Sequence, residues 1–108
     1  KNFWRSGAMG PWLVTADEVG GPAALELETR LNGEVLQSAS TSDLIFDIPT
    51  LIEYCSTFAR LEPGDVIATG TPGGVGAARK PPVWLRDGDT IEVRISRVGT
   101  LTNPVADE

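Results

Sequence analysis

The residues able to do chemistry in this chain gather around Val66-Ile67-Ala68-Thr69-Gly70-Thr71-Pro72-Gly73-Gly74-Val75-Gly76. A β-branched run leads into a stretch, 70–76, in which four of seven residues are glycine. Side-chain packing cannot hold such a segment, so its value lies in its backbone. Glycine permits positive φ and close approach, and lets N–H groups turn toward a bound anion or carbonyl oxygen. Thr69 and Thr71 add hydroxyls at the lip. The plainer reading, a glycine-rich connection after a strand, fits the local pattern equally well.

The other candidates are fewer. There is no histidine, which removes a Ser-His-Asp triad, a Cys-His dyad, a histidine-ligated zinc and a histidine general base built from this chain alone. Chemistry here falls to carboxylates, Lys, Thr and backbone amides. Glu26 and Glu28 share one face of an expected strand, close enough to hold a divalent cation together. With Arg30 next in the row, a solvated strand face is the preferred reading. Cys55, the single cysteine, falls on the apolar stripe of a helix with no basic neighbour, and reads as core, not nucleophile. Asp65 and Asp89 close the two copies of Leu-x-x-Gly-Asp-x-Ile and read as turn residues bonding local amides.

The elements that must position these residues are mostly strands. Leu25, Leu27, Thr29 and Leu31 alternate with Glu26, Glu28 and Arg30, and Asn32-Gly33 follows. Asn-Gly suits a two-residue type I′ turn, so a return strand is expected through Glu34-Val35-Leu36-Gln37. A helix is expected over 47–59, with Asp47 before it, Pro49 in its first turn, and Ile48, Leu51, Ile52 and Cys55 on one face. Ile91, Val93 and Ile95 mark a last half-buried strand. Short strands are also expected at Trp12-Leu13-Val14 and Val66-Ile67, and a polar turn at Thr15–Glu18. Pro81 and Pro82 favour an extended segment after Arg79-Lys80. The stretch Val98–Pro104 reads as the end of ordered structure, with 106–108 loose. The sum is an α+β domain dominated by antiparallel β.

Composition sets the bounds. The 108 residues suffice for one modest core that buries roughly two-thirds of the unfolded surface. A net charge of −6 argues against nucleic acid and against an anionic membrane surface as partners. No apolar run approaches a membrane span, and there is no signal-peptide pattern. One cysteine allows no internal disulfide framework and fits a reducing cytoplasm. The chain opens at Lys1 on a dense aromatic and glycine segment, which we read as a cut edge.

Taken in order, the pieces resemble the C-terminal half of the fumarylacetoacetate hydrolase family. The resemblance runs nearly end to end. It rests on Lys1-Asn2-Phe3, Met9-Gly10-Pro11-Trp12, Asn32-Gly33-Glu34 with Gln37 and Thr41, Pro63-Gly64-Asp65, Thr69-Gly70-Thr71-Pro72 through Gly76, Gly88-Asp89 and Gly99-Thr100-Leu101. Single pieces such as Asn-Gly carry nothing; the ordered set is specific. The resemblance implies a β-rich roll with one main helix, residues 1–108 being the C-terminal part of one catalytic domain. It also implies a divalent cation, Mg2+ or Mn2+, and cleavage, decarboxylation or isomerisation of small 2-oxo acids or β-dicarbonyl compounds. Lys1 maps onto the family's lysine beside cation and substrate oxygens, and Thr71, flanked by Gly70 and Thr69, onto its substrate-contacting threonine. A homodimer is implied for the parent protein.

The departures are equally informative. The family's Glu-x-Glu and Asp ligands, and its water-activating His–Glu pair, lie upstream of the lysine. Glu26-Leu27-Glu28 imitates the ligand spacing in the wrong place. The expectation is therefore no metal ligand within this chain, weak binding of Mg2+ and no turnover by the 108 residues alone. The alternative function is a non-catalytic β-rich binding or assembly module, with Trp4, Trp12 and Trp84 at an interface, or a decayed fragment. Nucleotide binding is disfavoured, because the loop lacks a Gly-Lys-Ser/Thr ending.

Overall fold

The computed structural model describes residues 5–20 and 24–107. Its frame is a four-stranded antiparallel sheet built from β1 (Glu26–Leu31), β2 (Glu34–Ser40), β3 (Thr90–Ile95) and β4 (Gly99–Pro104), in the order β2-β1-β3-β4. The Asn-Gly turn forms where the alternation requires it, with Asn32 and Gly33 both at positive φ (51° and 86°). Leu27 stands opposite Ala39 on one side and Ile95 on the other, and Val93 opposite both Thr29 and Leu101. One face therefore collects Leu27, Leu31, Ala39, Ile91, Val93, Ile95 and Leu101. The other collects Glu28, Arg30, Glu92 and Arg94, and here the Arg30 guanidinium donates to the Glu28 carboxylate. That pairing, with Arg94 opposite, holds Glu28 below the usual carboxylate range. The Glu26–Glu28 row is a solvated, charge-matched face, as preferred from the sequence.

The register of β1 against β2 breaks once. Thr29 pairs with Gln37 and Arg30 with Val35, so Leu36 is an extra residue and β2 carries a bulge there. A bulge frees backbone polar groups from the ladder and re-aims the neighbouring side chain. Both consequences matter below.

Several expectations change. Trp12-Leu13-Val14 is not a strand: the Trp12 indole N–H donates to the Val98 carbonyl at 2.7 Å, and the ring lies where a Cβ on Gly99 would be. Thr15–Glu18 is not a simple turn. Ala16–Val19 forms one helical turn, α1, closed by Gly20 in the left-handed region, and Arg97 reaches the Val19 carbonyl at 3.1 Å. Val66-Ile67 follows its Pro-Gly-Asp turn but finds no strand to pair with among the described residues. Val98–Pro104 holds β4, whose alternation is real but weak and whose Pro104 looks like a stop. At an edge, Pro104 pairs with Thr90 as the last residue, where a missing N–H costs little. The tail is held as well, since Val105 N–H donates to Asp89 O at 2.8 Å and Asp107 N–H to the Asp87 carboxylate at 3.2 Å.

The helix, α2, spans Ile48–Ser56, shorter than expected because Thr57 already leaves the helical hydrogen-bond pattern. Asp47 caps it by accepting the Thr50 N–H at 2.9 Å, and bonding to Thr50 lowers the Asp47 pKa. Cys55 is half-buried, so its inward placement is only partial. Among the described residues Val19 alone is buried, while Ile45, Phe58 and Val66 are 92%, 70% and 69% exposed. The apolar sheet face and the helix stripe are thus only partly covered.

Candidate functional site

Between β2 and α2 opens a cavity of about 810 Å³. Its floor begins at Leu25 and Leu27 of the β1 side and continues through Ser38, Ala39 and Ser40 of β2. The chain then turns sharply. Thr41 exchanges two bonds with Leu25, accepting its N–H on Oγ at 2.8 Å and donating its own N–H to the Leu25 carbonyl at 2.8 Å. Ser40 and Asp43 cap the short turn reciprocally: Ser40 Oγ accepts the Ser42 N–H, and the Asp43 carboxylate accepts the Ser40 N–H. The turn delivers Leu44, Ile45 and Phe46 as an apolar wall, continued by Ile48 and Leu51 of α2.

The glycine segment closes the remaining side. Thr69, Gly70, Thr71, Pro72 and Gly73 all line the cavity, so three sequence-derived candidates, Thr69, Gly70 and Thr71, come together at one edge. Lys1 lies outside the described residues. Thr69 and Thr71 thus line one edge of a space whose far side is aliphatic and aromatic carbon, the lining expected for a small molecule with a polar end and a short carbon body.

What holds the loop was not apparent from the sequence. Residues 66–74 make no backbone–backbone hydrogen bond among the described residues. Their anchors are side chains from elsewhere. Gln37 Nε2 donates to the Pro72 carbonyl at 3.0 Å, with Thr71 Oγ at 3.4 Å and the Gly73 carbonyl at 3.5 Å. Arg79 Nε donates to the Gly74 carbonyl at 3.1 Å, and its Nη2 donates to the carbonyl of Leu36, the bulged residue. A Cβ on Gly74 would sit 2.4 Å from that same Leu36 oxygen, and one on Gly76 would sit 2.2 Å from the Val83 oxygen. Here glycine is required by close approach of two backbones. Gln37 had one visible signal, its place among the residues that carry the family resemblance; its position opposite Thr29 on the apolar face depends on the bulge. Arg79, read as the start of an extended stretch, had none.

The described residues do not make a cation site. No group of three or more His, Cys, Asp or Glu side chains is clustered among them, and the one carboxylate on the cavity wall, Asp43, is engaged in its turn.

The family model for the C-terminal part of fumarylacetoacetate (FAA) hydrolase matches residues 1–106. The chain belongs to the fumarylacetoacetate hydrolase family. It is 53% identical over 97 residues to the oxaloacetate tautomerase YisK of Bacillus subtilis (strain 168), covering 90% of this chain and 32% of that one. Among solved structures it is similar to the fumarylacetoacetate hydrolase of Exiguobacterium antarcticum (49% identity, TM-score 0.87, 92% of this chain and 35% of that one). It is also similar to the maleylpyruvate hydrolase of Sphingobium sp. SYK-6, solved with manganese(II) and pyruvate (45% identity, TM-score 0.80, 90% and 34%). The chain therefore spans about a third of the length of these fumarylacetoacetate hydrolase family members. The α+β, β-rich architecture expected from the sequence is the one observed, and relatives in the family include tautomerases, hydrolases and isomerases.

Proposed function

We propose that residues 1–108 form the C-terminal, substrate-side part of one catalytic domain that interconverts the enol and keto forms of a small 2-oxo diacid. Oxaloacetate is the first candidate substrate. The observation that carries this reading is the Thr69-Gly70-Thr71 edge of a cavity whose opposite wall is apolar, in a chain 53% identical to an oxaloacetate tautomerase. Ketonisation removes the enol proton and adds one at the neighbouring carbon, passing through an enolate. Groups that hold negative charge in a water-poor cleft favour that state over the substrate.

In this reading the Thr71 hydroxyl donates to a substrate carboxylate at the cavity edge, with Thr69 and Gly70 shaping its seat. Leu44, Phe46 and Leu51 exclude water from the carbon body. The Lys1 ammonium belongs beside the developing enolate oxygen. The family's divalent cation, Mg2+ or Mn2+, would neutralise the same oxygen. Because the described residues lack its ligands, cation binding is assigned to carboxylates outside this chain. The isolated 108 residues accordingly bind Mg2+ weakly and turn over nothing. A cytoplasmic homodimer is part of the same proposal. A second reading, C–C hydrolysis of an acylpyruvate, is favoured by the pyruvate held in the maleylpyruvate hydrolase structure. A binding module without chemistry has no comparable support.

The deciding experiment follows enol absorbance of oxaloacetate with the full-length protein. Accelerated ketonisation is expected, with a Michaelis constant about tenfold higher in Thr71→Val, the loss of one good hydrogen bond. No acceleration, together with pyruvate release from acylpyruvates, would replace the tautomerase reading by the hydrolase one.

A further inference from the structure

We propose that Gln37 is a positioning residue, delivered by the β2 bulge, whose side-chain amide pins the glycine loop and aims the Thr71 hydroxyl into the cavity. The inference rests on the role given to Thr71 above.

Three oxygens face the Gln37 Nε2, from Thr71, Pro72 and Gly73. All three accept, and two of them are carbonyls that can do nothing else, so a Gln37 oxygen in that position would face both without a donor. The flip state of the amide is therefore fixed by its surroundings. The shortest contact, 3.0 Å to the Pro72 carbonyl, holds the backbone beside Thr71. The longer one, 3.4 Å to Thr71 Oγ, acts on the hydroxyl itself. A hydroxyl has one proton and two lone pairs. With a lone pair turned toward Gln37, the hydroxyl keeps its proton for an acceptor in the cavity that Thr71 lines.

The bulge makes this geometry possible. Leu36 is the unpaired extra residue, its carbonyl accepts from Arg79, and Gly74 approaches the same carbonyl without a Cβ in the way. The loop is thereby drawn against β2 directly beside Gln37. An unbulged hairpin would have set Leu36 opposite Thr29 and Gln37 opposite Glu28, on the charged face of the sheet.

The test compares Thr71→Val, Gln37→Met and the double variant of the full-length protein, since Met matches Gln in length and removes its amide. Each single change is expected to raise the Michaelis constant for the 2-oxo diacid about tenfold with kcat within about twofold. The double variant should be no worse than either single one, because Gln37 acts through Thr71. Multiplicative effects, or losses that follow the thermal midpoint in place of the Michaelis constant, would overturn the proposal. The Gln37 side-chain amide resonances supply a readout independent of turnover and should shift in Thr71→Val. Unshifted resonances would also overturn it. Absence of turnover by the wild type on any 2-oxo acid refutes the proposed function alone, and the resonances still decide the role of Gln37.

Discussion

In the sheet, backbone bonds to backbone; in the segment from 66 to 83, side chains do most of the holding. Each of the three strand pairings is a ladder of five or six residue pairs. Such a ladder is redundant, and losing one side chain leaves the remaining bonds in register. The loop has no ladder. Gln37 and Arg79 tie residues 72–74 to β2, and backbone bonds begin only at 75, with Ala78 N–H to the Val75 carbonyl at 2.9 Å and the Arg79 and Val83 N–H groups to the Gly76 carbonyl at 3.2 and 3.0 Å. The difference separates a scaffold from a site. A site built of glycine keeps its amides and hydroxyls free for a ligand, and its position then depends on very few partners.

The sharpest way to break the comparison is a methyl group. Gly74→Ala places a carbon 2.4 Å from the Leu36 oxygen at a residue already at φ 96°, and should cost about 3 kcal/mol. Gly33→Ala, at φ 86° but with nothing within 4 Å, should cost about 1 kcal/mol. Hydrogen exchange in the full-length protein checks this. Protection of β1 and β3 should survive both changes, while Gly74→Ala alone exposes 66–83 to proteolysis and abolishes turnover. A smaller effect is expected of Arg79→Lys. A single ammonium cannot reproduce the planar fork that reaches Gly74 and Leu36 together, and about 2 kcal/mol of loop stability should be lost without unfolding the sheet. Equal loss of sheet protection in either variant would show the two regions to be one cooperative unit.

The smallest effect sharpens the comparison from the sheet side. Asp89 lies below its ordinary pKa because the Asn32 side-chain amide donates to it, aided by the Arg86 N–H and the Arg86 charge. A depressed folded-state value means stability that is present above the unfolded carboxylate pKa of about 3.9. That stability is lost as pH falls through the lower folded value. Acid titration monitored by β3 amide protection should therefore weaken on this limb, and less steeply in Asp89→Asn. The tie between loop and β2 should be indifferent to that change.

How much was legible follows the same division. Period-two alternation and Asn-Gly named β1, β2 and β3, and the two Gly-Asp turns proved alike in detail. Asp65 accepts the Glu62 N–H and Asp89 the Arg86 N–H, each at 2.8 Å. β4 escaped because Pro104 reads as a stop unless the strand is known to be an edge. The glycine loop was visible by composition, but its docking was not. A bulge leaves no periodic trace, so Leu36 looked like any strand residue and its carbonyl could not be matched with an arginine 43 positions away. Trp12 on Gly99 is the same kind of pairing. Two motifs at opposite ends of the chain turn out to be one contact, which local patterns cannot express.

The Asn32-Gly33 turn carries a consequence for the ageing of the molecule. An asparagine followed by glycine is prone to lose ammonia, since the unhindered glycine nitrogen can attack the side-chain carbonyl and close a succinimide ring. Here that side chain is occupied at both ends, its Nδ2 donating to Asp89 Oδ1 and its Oδ1 accepting the Thr90 N–H, each at 2.8 Å. Ring closure must first break both bonds. Hydrolysis of the ring would then set a new carboxylate against Asp89, two like charges where a donor and an acceptor had met. The turn that folds β2 back on β1 is shielded from spontaneous deamidation by the strand it leans on.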